Sequence, residues 1–309
     1  MLHISDAMVE TAVTADEAQH VLREAFLAFG ATHAAMQARI RTEAGGVKLS
    51  TLGAVIPGQD VAGAKVYTTI DGHFNFVVLL FSARDGRPLA TFDAGALTRV
   101  RTAACSVLGA KALARPQASI LGLFGAGTQG VEHAVQMTRA FGLSQILFHD
   151  PYAAPGTESR IAELTGVDVG SAEPDRIAAT ADIIVTASRS PHPLFSGESV
   201  KAGAFIAAIG SSLPTTRELD DALLARAKAI VVEWKPQTLQ EAGDLLLADR
   251  NLRVTDKLVE LADVFDKRTF RSTAEDIFVY KSVGVGLEDI ALAGHVYKHI
   301  AAREKLPQP

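Results

Sequence analysis

The chain has 309 residues, 48% of them hydrophobic, a formal charge of -5 and a single cysteine. That length buries a large core and predicts two domains, and one cysteine excludes any intramolecular disulfide framework. A pI near 6.0 leaves no basic footprint for nucleic acid or an acidic membrane. No run of apolar residues is long enough to span a bilayer, and the N-terminus lacks the basic flank and apolar stretch of a signal peptide, so the expected address is the cytoplasm.

In chain order, Ala18, Val21, Leu22, Ala25, Phe26 and Phe29 recur at helical spacing, which predicts a helix over Thr14 to Ala31 ended by Gly30. The period then changes. Ala38 to Thr42, Val61 to Ile70, Phe74 to Phe81 and Leu89 to Phe92 read as strands, with Asp85-Gly86 as a hairpin turn. An antiparallel sheet with a helix is expected. Leu97 to Ala114 returns to an alanine-rich helix stopped by Pro116, with Cys105 as a small core filler. Purely apolar runs then alternate with helical stretches: Ser119 to Phe124, Gln145 to His149, Asp182 to Thr186, Ala204 to Ile209 and Ala229 to Glu233. Strands apolar on both faces and separated by helices predict a doubly wound parallel α/β sheet. A final helix over Leu287 to Arg303 is expected to return to the first domain. The expected domains are 1–115 with 287–309, and 116–286.

One motif names a cofactor. Ile120 to Phe124 runs directly into Gly125-Ala126-Gly127-Thr128-Gln129-Gly130 and then into a helical sequence. Gly125 permits the tight turn, Gly127 lets backbone approach a pyrophosphate, and Gly130 lets the helix sit close to its strand. A second apolar strand ends in Asp150, 25 residues after Gly125, where an acid accepts hydrogen bonds from ribose hydroxyls and repels a 2′-phosphate. The pattern predicts NAD(H). Asp150-Pro151 is also an ordinary turn and helix-start pair.

Among the charged residues, Lys65 sits inside an apolar strand, Arg101 near the start of the alanine-rich helix, and Arg39 and Arg41 alternate on one strand, so both point to one face. On periodicity alone each reads as a solvated surface cation. His295 and His299 lie four apart on the last helix, but nothing nearby completes a metal set, and no metal is expected.

The segment from Thr91 to Ala114, containing Thr98-Arg-Val-Arg-Thr-Ala-Ala104, followed by Leu121-Gly-Leu-Phe-Gly-Ala-Gly-Thr-Gln129, resembles the ornithine cyclodeaminase/mu-crystallin family. Gly63-Ala-Lys-Val66, Gly210-Ser-Ser-Leu-Pro-Thr-Thr-Arg-Glu-Leu-Asp220 and Tyr280-Lys-Ser-Val-Gly-Val-Gly-Leu-Glu-Asp289 resemble it too, in the same order. The resemblance implies a homodimer with an α+β substrate-binding and dimerisation domain, a Rossmann domain holding NAD(H), and an active site in the cleft between. It implies that Lys65 is the active-site lysine, that Arg101 binds the carboxylate of a small amino-acid or imino-acid substrate, and that Arg39 or Arg41 assists, Arg41 having the more typical distance to Lys65. Ser282 and Val283 then fall near the nicotinamide and Thr102 near the cofactor phosphates.

One position departs from the cyclodeaminases of that family, which carry an aspartate two residues beyond the first glycine of the Gly210 motif. Here it is Ser212. A neutral hydroxyl holds a substrate ammonium weakly and is a poor base. The expectation is therefore a reductase of a cyclic ketimine, pyrroline- or piperideine-2-carboxylate, or an alanine-dehydrogenase-like enzyme. Two alternatives stand beside it: a cyclodeaminase in which Asp220 or Glu218 replaces the missing aspartate, and a non-catalytic carrier of a small ligand.

Overall fold

The computed structural model describes residues 1–266, 270–304 and 309. The stretches 267–269 and 305–308, which fall in the second and first expected domains, lie outside the described residues. The chain divides into two compact units, Met1–Cys105 with Gly284–Pro309, and Ser106–Val283.

The first unit opens with β1 (Leu2–Ile4), α1 (Asp6–Ala12) and α2 (Ala15–Gly30). Helix α2 starts on a capping box, Thr14 and Glu17 satisfying each other's backbone N–H groups. Four long strands follow, β2 (Ala35–Ala44), β3 (Val47–Ile56), β4 (Val61–Ile70) and β5 (His73–Ser82), then β6 (Pro88–Asp93) and α3 (Gly95–Leu113), in which the boundary between units falls. The sheet order is β1-β6-β5-β4-β3-β2. It is antiparallel as expected except at its edge, where β1 pairs parallel to β6. Asp6 holds the start of α3: its Oδ1 accepts from the Ala96 N–H at 2.8 Å. A Cβ at position 95 would lie 2.5 Å from Asp6 Oδ2 and would push that carboxylate from its place.

The second unit continues with β7 (Ile120–Phe124), α4 (Thr128–Phe141), β8 (Gln145–His149), α5 (Thr157–Thr165), β9 (Asp168–Ser171), α6 (Pro174–Thr180), β10 (Ile183–Thr186) and β11 (Phe205–Ala208). After these come α7 (Asp221–Arg226), β12 (Ala227–Val232), α8 (Lys235–Glu241), α9 (Gly243–Leu246), β13 (Leu258–Glu260), α10 (Leu261–Asp266) and β14 (Ile277–Lys281). The strands form one parallel sheet, β13-β12-β14-β11-β10-β7-β8-β9, the doubly wound architecture that the apolar runs predict. Phe124, Ile184, Ile206, Ile230 and Val279, all buried, build its core.

The chain then returns to the first unit as α11 (Gly286–Glu304), whose residues through Gly294 are all buried. This helix lies unusually close to the sheet: a Cβ on Gly286 would come within 2.6 Å of the Gly53 backbone, and one on Gly63 within 2.9 Å of Ile290 Cδ1. That proximity carries the first turn of α11, with Glu288 and Asp289, onto the face of the sheet that bears Lys65.

Candidate functional site

Lys65 and Arg101 are not surface cations. They are 3% and 5% exposed, and the structure brings them together around two acids of α11, Glu288 and Asp289, which are fully buried. Lys65 Nζ donates to Thr98 Oγ1 at 2.7 Å and to Asp289 Oδ1 at 3.3 Å. Arg101 Nε donates to the same oxygen at 3.1 Å, and its Nη1 to Glu288 Oε2. Thr98, one turn before Arg101 on α3, donates its own proton to the Ala94 carbonyl at 2.6 Å, which leaves its oxygen aimed at the lysine. The Lys65 ammonium also lies 4.3 Å from the centre of the Phe76 ring.

Burial sets the electrostatics of the cluster. It lowers the Lys65 pKa to about 8, with Arg101 and Arg39 adding to the effect and Asp289 opposing it. Burial alone would raise Asp289, but Arg101 and Lys65 outweigh it and hold the carboxyl below its ordinary value. An ammonium that titrates near neutrality inside a fixed ring of charges can hold an anion and exchange a proton. Arg39 donates from Nη2 to the Gly284 carbonyl at 2.7 Å and is felt at Lys65, whereas Arg41, on the same strand, pairs in register with Ser50. Arg39 thus lies beside the cluster, and Arg41 lies in a cross-strand row on the face of the sheet that bears Lys65. Thr102 is buried and donates to the Thr98 carbonyl of its own helix. Sequence spacing does not reveal Glu288 and Asp289 as partners, although both fall in the Tyr280 to Asp289 segment.

In the second unit the glycine turn joins β7 to α4. Gly125 has φ of +89°, and a Cβ on Gly130 would collide with the Gly125 carbonyl, so both positions require glycine. At Gly127, the N-cap of α4, a Cβ would meet no atom within 4 Å, and no side chain caps the helix. The N–H groups of Thr128, Gln129 and Gly130 open the 14-residue helix α4 beside that open space, which fits a pyrophosphate. Asp150 follows β8 as expected and also braces the turn: Oδ2 accepts from the Ala126 N–H at 2.8 Å and Oδ1 from the Tyr152 N–H at 2.9 Å. Each oxygen keeps a lone pair for a ribose hydroxyl.

Ser282 and Val283 follow β14, the Ser282 N–H donating to Ala208 and the Val283 N–H to Glu233. Near them, the Gly210 motif is stitched to a buried acid. Glu218 accepts from Thr186 Oγ1, from the N–H and hydroxyl of Ser188, and from the N–H groups of Gly210 and Ser211, at 2.7–3.2 Å. Burial pushes its carboxyl up, opposed by Lys281, which itself pairs with the buried Asp244 at 2.9 Å. Asp220 caps α7, accepting from Leu223 N–H at 2.8 Å and Gly197 N–H at 2.9 Å. Both acids that could stand in for an aspartate at Ser212 are therefore committed to backbone. Glu218→Ala is expected to lower unfolding stability by about 1–3 kcal/mol, because it strands a buried set of donors while Lys281 keeps Asp244 as its counter-ion. A urea unfolding curve measures this, and a loss under about 1 kcal/mol would contradict the bracing role.

Among the described residues no group of three or more His, Cys, Asp or Glu could hold a metal ion. No described helix is long and apolar enough to cross a membrane.

Comparison with known proteins places these features in a family. A Δ1-pyrroline-2-carboxylate reductase of Bacillus cereus is 33% identical over 262 residues, 81% of this chain and 80% of that protein. The crystal structure of a probable ornithine cyclodeaminase from Bordetella pertussis Tohama I superposes with a TM-score of 0.99 at 65% identity, over 100% of both chains. An archaeal alanine dehydrogenase dimer with bound NAD superposes with a TM-score of 0.90 at 25% identity, over 100% of this chain and 98% of that one. Residues 1–304 match the model of the ornithine cyclodeaminase/mu-crystallin family, and the chain belongs to that family.

Proposed function

We propose that this chain is an NAD(H)-dependent oxidoreductase acting on a small amino acid or its imine, foremost a reductase of a cyclic ketimine such as pyrroline- or piperideine-2-carboxylate. The observation that carries the reading is the buried Lys65 with Arg101 and Arg39 beside it: a permanent cationic seat for a carboxylate that contains one group able to give up a proton near neutral pH. The B. cereus reductase supports the substrate class, and the alanine dehydrogenase with bound NAD supports the cofactor.

When bound, NADH supplies hydride to the imine carbon. The protein supplies the rest. Arg101, with Arg39 or Arg41, grips the substrate carboxylate, and a guanidinium fork suits that anion better than a lysine would. Lys65 orients the carboxylate and delivers the proton that the imine nitrogen needs. Asp289 and Glu288 hold Arg101 and Lys65 in place. Thr128, Gln129 and Gly130 offer N–H groups to the cofactor phosphates, assisted by Thr102, Asp150 takes the ribose hydroxyls, and Ser282 and Val283 stand near the nicotinamide.

The protein acts as a cytoplasmic homodimer. Ile40, Leu49, Val55, Val77 and Phe81 project from the face of the first sheet opposite α11 and are 36–55% exposed. A flat apolar face of this kind is covered in a soluble protein, and the dimeric alanine dehydrogenase supports a second copy as its cover.

Loss of NADH absorbance with pyrroline-2-carboxylate, piperideine-2-carboxylate, or pyruvate plus ammonia tests the reading. Saturable oxidation is expected with at least one. Its kcat/KM should fall about tenfold per pH unit above the Lys65 pKa of about 8, because only the protonated lysine donates. Asp289→Asn removes the negative charge that raises the Lys65 pKa, so the alkaline limb should move to lower pH. A limb that does not move refutes the link between the two residues.

The cyclodeaminase reading has in its favour the 65% identical structure named for that activity. Against it stand Ser212 and the committed carboxylates of Glu218 and Asp220. Incubation with ornithine and catalytic NAD decides between them: proline and ammonia without net cofactor consumption would reverse the assignment. A carrier, the remaining alternative, would bind its ligand and turn nothing over.

A further inference from the structure

Beside Lys65 the inner face of the first sheet carries three aromatic rings that proton and hydride transfer do not call on. Tyr67 lies two residues after Lys65 on β4, hence on the same face, and faces Phe76 across the strand pair. Their ring centres are 5.1 Å apart. Phe74 stacks on Phe76 at 5.6 Å with planes 6° from parallel, and closes on Tyr67 at 6.0 Å. The same cross-strand row runs from Phe76 through Tyr67 and Ser50 to Arg41. This wall is not sealed in the core. Tyr67 is buried, but Phe76 is partly exposed and Phe74 is 45% exposed.

A partly open aromatic surface within 4.3 Å of an active-site ammonium is an apolar seat next to a cationic one. We propose that Phe76 determines substrate specificity, its ring forming the floor under the substrate's carbon skeleton and selecting a compact uncharged skeleton, a five- or six-membered ring, over a chain ending in a second ammonium. The proposal rests on the imino-acid reading above and names the residue that sets its substrate class. Three features argue for it. Apolar ring atoms of a cyclic imine gain contact with Phe76 while the carboxylate reaches the arginines. A second ammonium would approach Lys65, Arg101 and Arg39 and be repelled. The acids at this place, Glu288 and Asp289, are already ion-paired to Arg101 and Lys65, and so do not welcome it.

The test is calorimetric binding of pyrrole-2-carboxylate, a planar ring acid that needs no turnover, to wild type, Phe76→Ala and Phe76→Leu, each saturated with NADH. Phe76→Ala should weaken binding at least tenfold, Phe76→Leu should recover most of the loss, and in turnover the effect should fall on KM rather than kcat. Affinity within twofold of wild type in Phe76→Ala, or no binding to wild type, overturns the proposal. Imine reduction with unchanged KM in Phe76→Ala removes the floor and leaves the reaction standing. Phe76-dependent binding without any imine reduction removes the reaction and leaves the floor.

Discussion

Lys65→Met is expected to lower kcat/KM for imine reduction at least a thousandfold, about 4 kcal/mol of transition-state stabilisation, while NADH affinity stays within twofold of wild type. Met fills nearly the same volume in a site where Lys65 is 3% exposed, so packing changes little. What disappears is the ammonium. Asp289 keeps Arg101 as its counter-ion, so no buried carboxylate is left bare, and the fold should survive. Loss of turnover with an intact melting curve and intact NADH binding therefore isolates the chemistry. If the variant retains a tenth of the wild-type rate, the proton comes from elsewhere and the role proposed for Lys65 is wrong.

Two glycines of the turn between β7 and α4 carry the second large effect. Gly130→Ala should weaken NADH binding at least a hundredfold, about 2.7 kcal/mol, and also lower stability, because its Cβ has nowhere to go but the Gly125 carbonyl. Gly127→Ala should weaken NADH binding without lowering stability, since its Cβ enters open space at the helix start. Fluorescence titration of NADH paired with thermal unfolding separates the two. Unchanged NADH affinity in both variants would refute the turn as a pyrophosphate cradle.

The parts legible in the sequence are those encoded locally. Helix α2 announces itself by its period, and the Gly125 turn by strand, glycines and helix in succession. Strand β3 escapes the same reading because the alternation of Val47-Lys48-Leu49-Ser50 breaks at Thr51 and is lost in the run Leu52-Gly53-Ala54-Val55-Ile56. Strand β14 closes the parallel sheet between β11 and β12, a position that no local pattern encodes. The partners of Lys65 are out of reach for the same reason: Asp289 is 224 residues away, and a carboxylate in an apolar helix turn carries no address. Family resemblance singles out Lys65 and Arg101, but only the fold shows that their charge is balanced by α11.

The first unit is assembled from the two ends of the chain, with α11 lying directly on β3 at Gly53. During synthesis, β4 and α3 leave the ribosome long before the helix that neutralises them. Without that helix the sheet leaves Lys65 and Arg101 without their carboxylate partners and facing water. Docking of the last helix buries both cations and completes the centre. A chain broken off before Asp289 is therefore expected to carry the glycine turn without the assembled Lys65–Arg101 cluster, so that premature termination yields an inert product rather than a misdirected oxidoreductase.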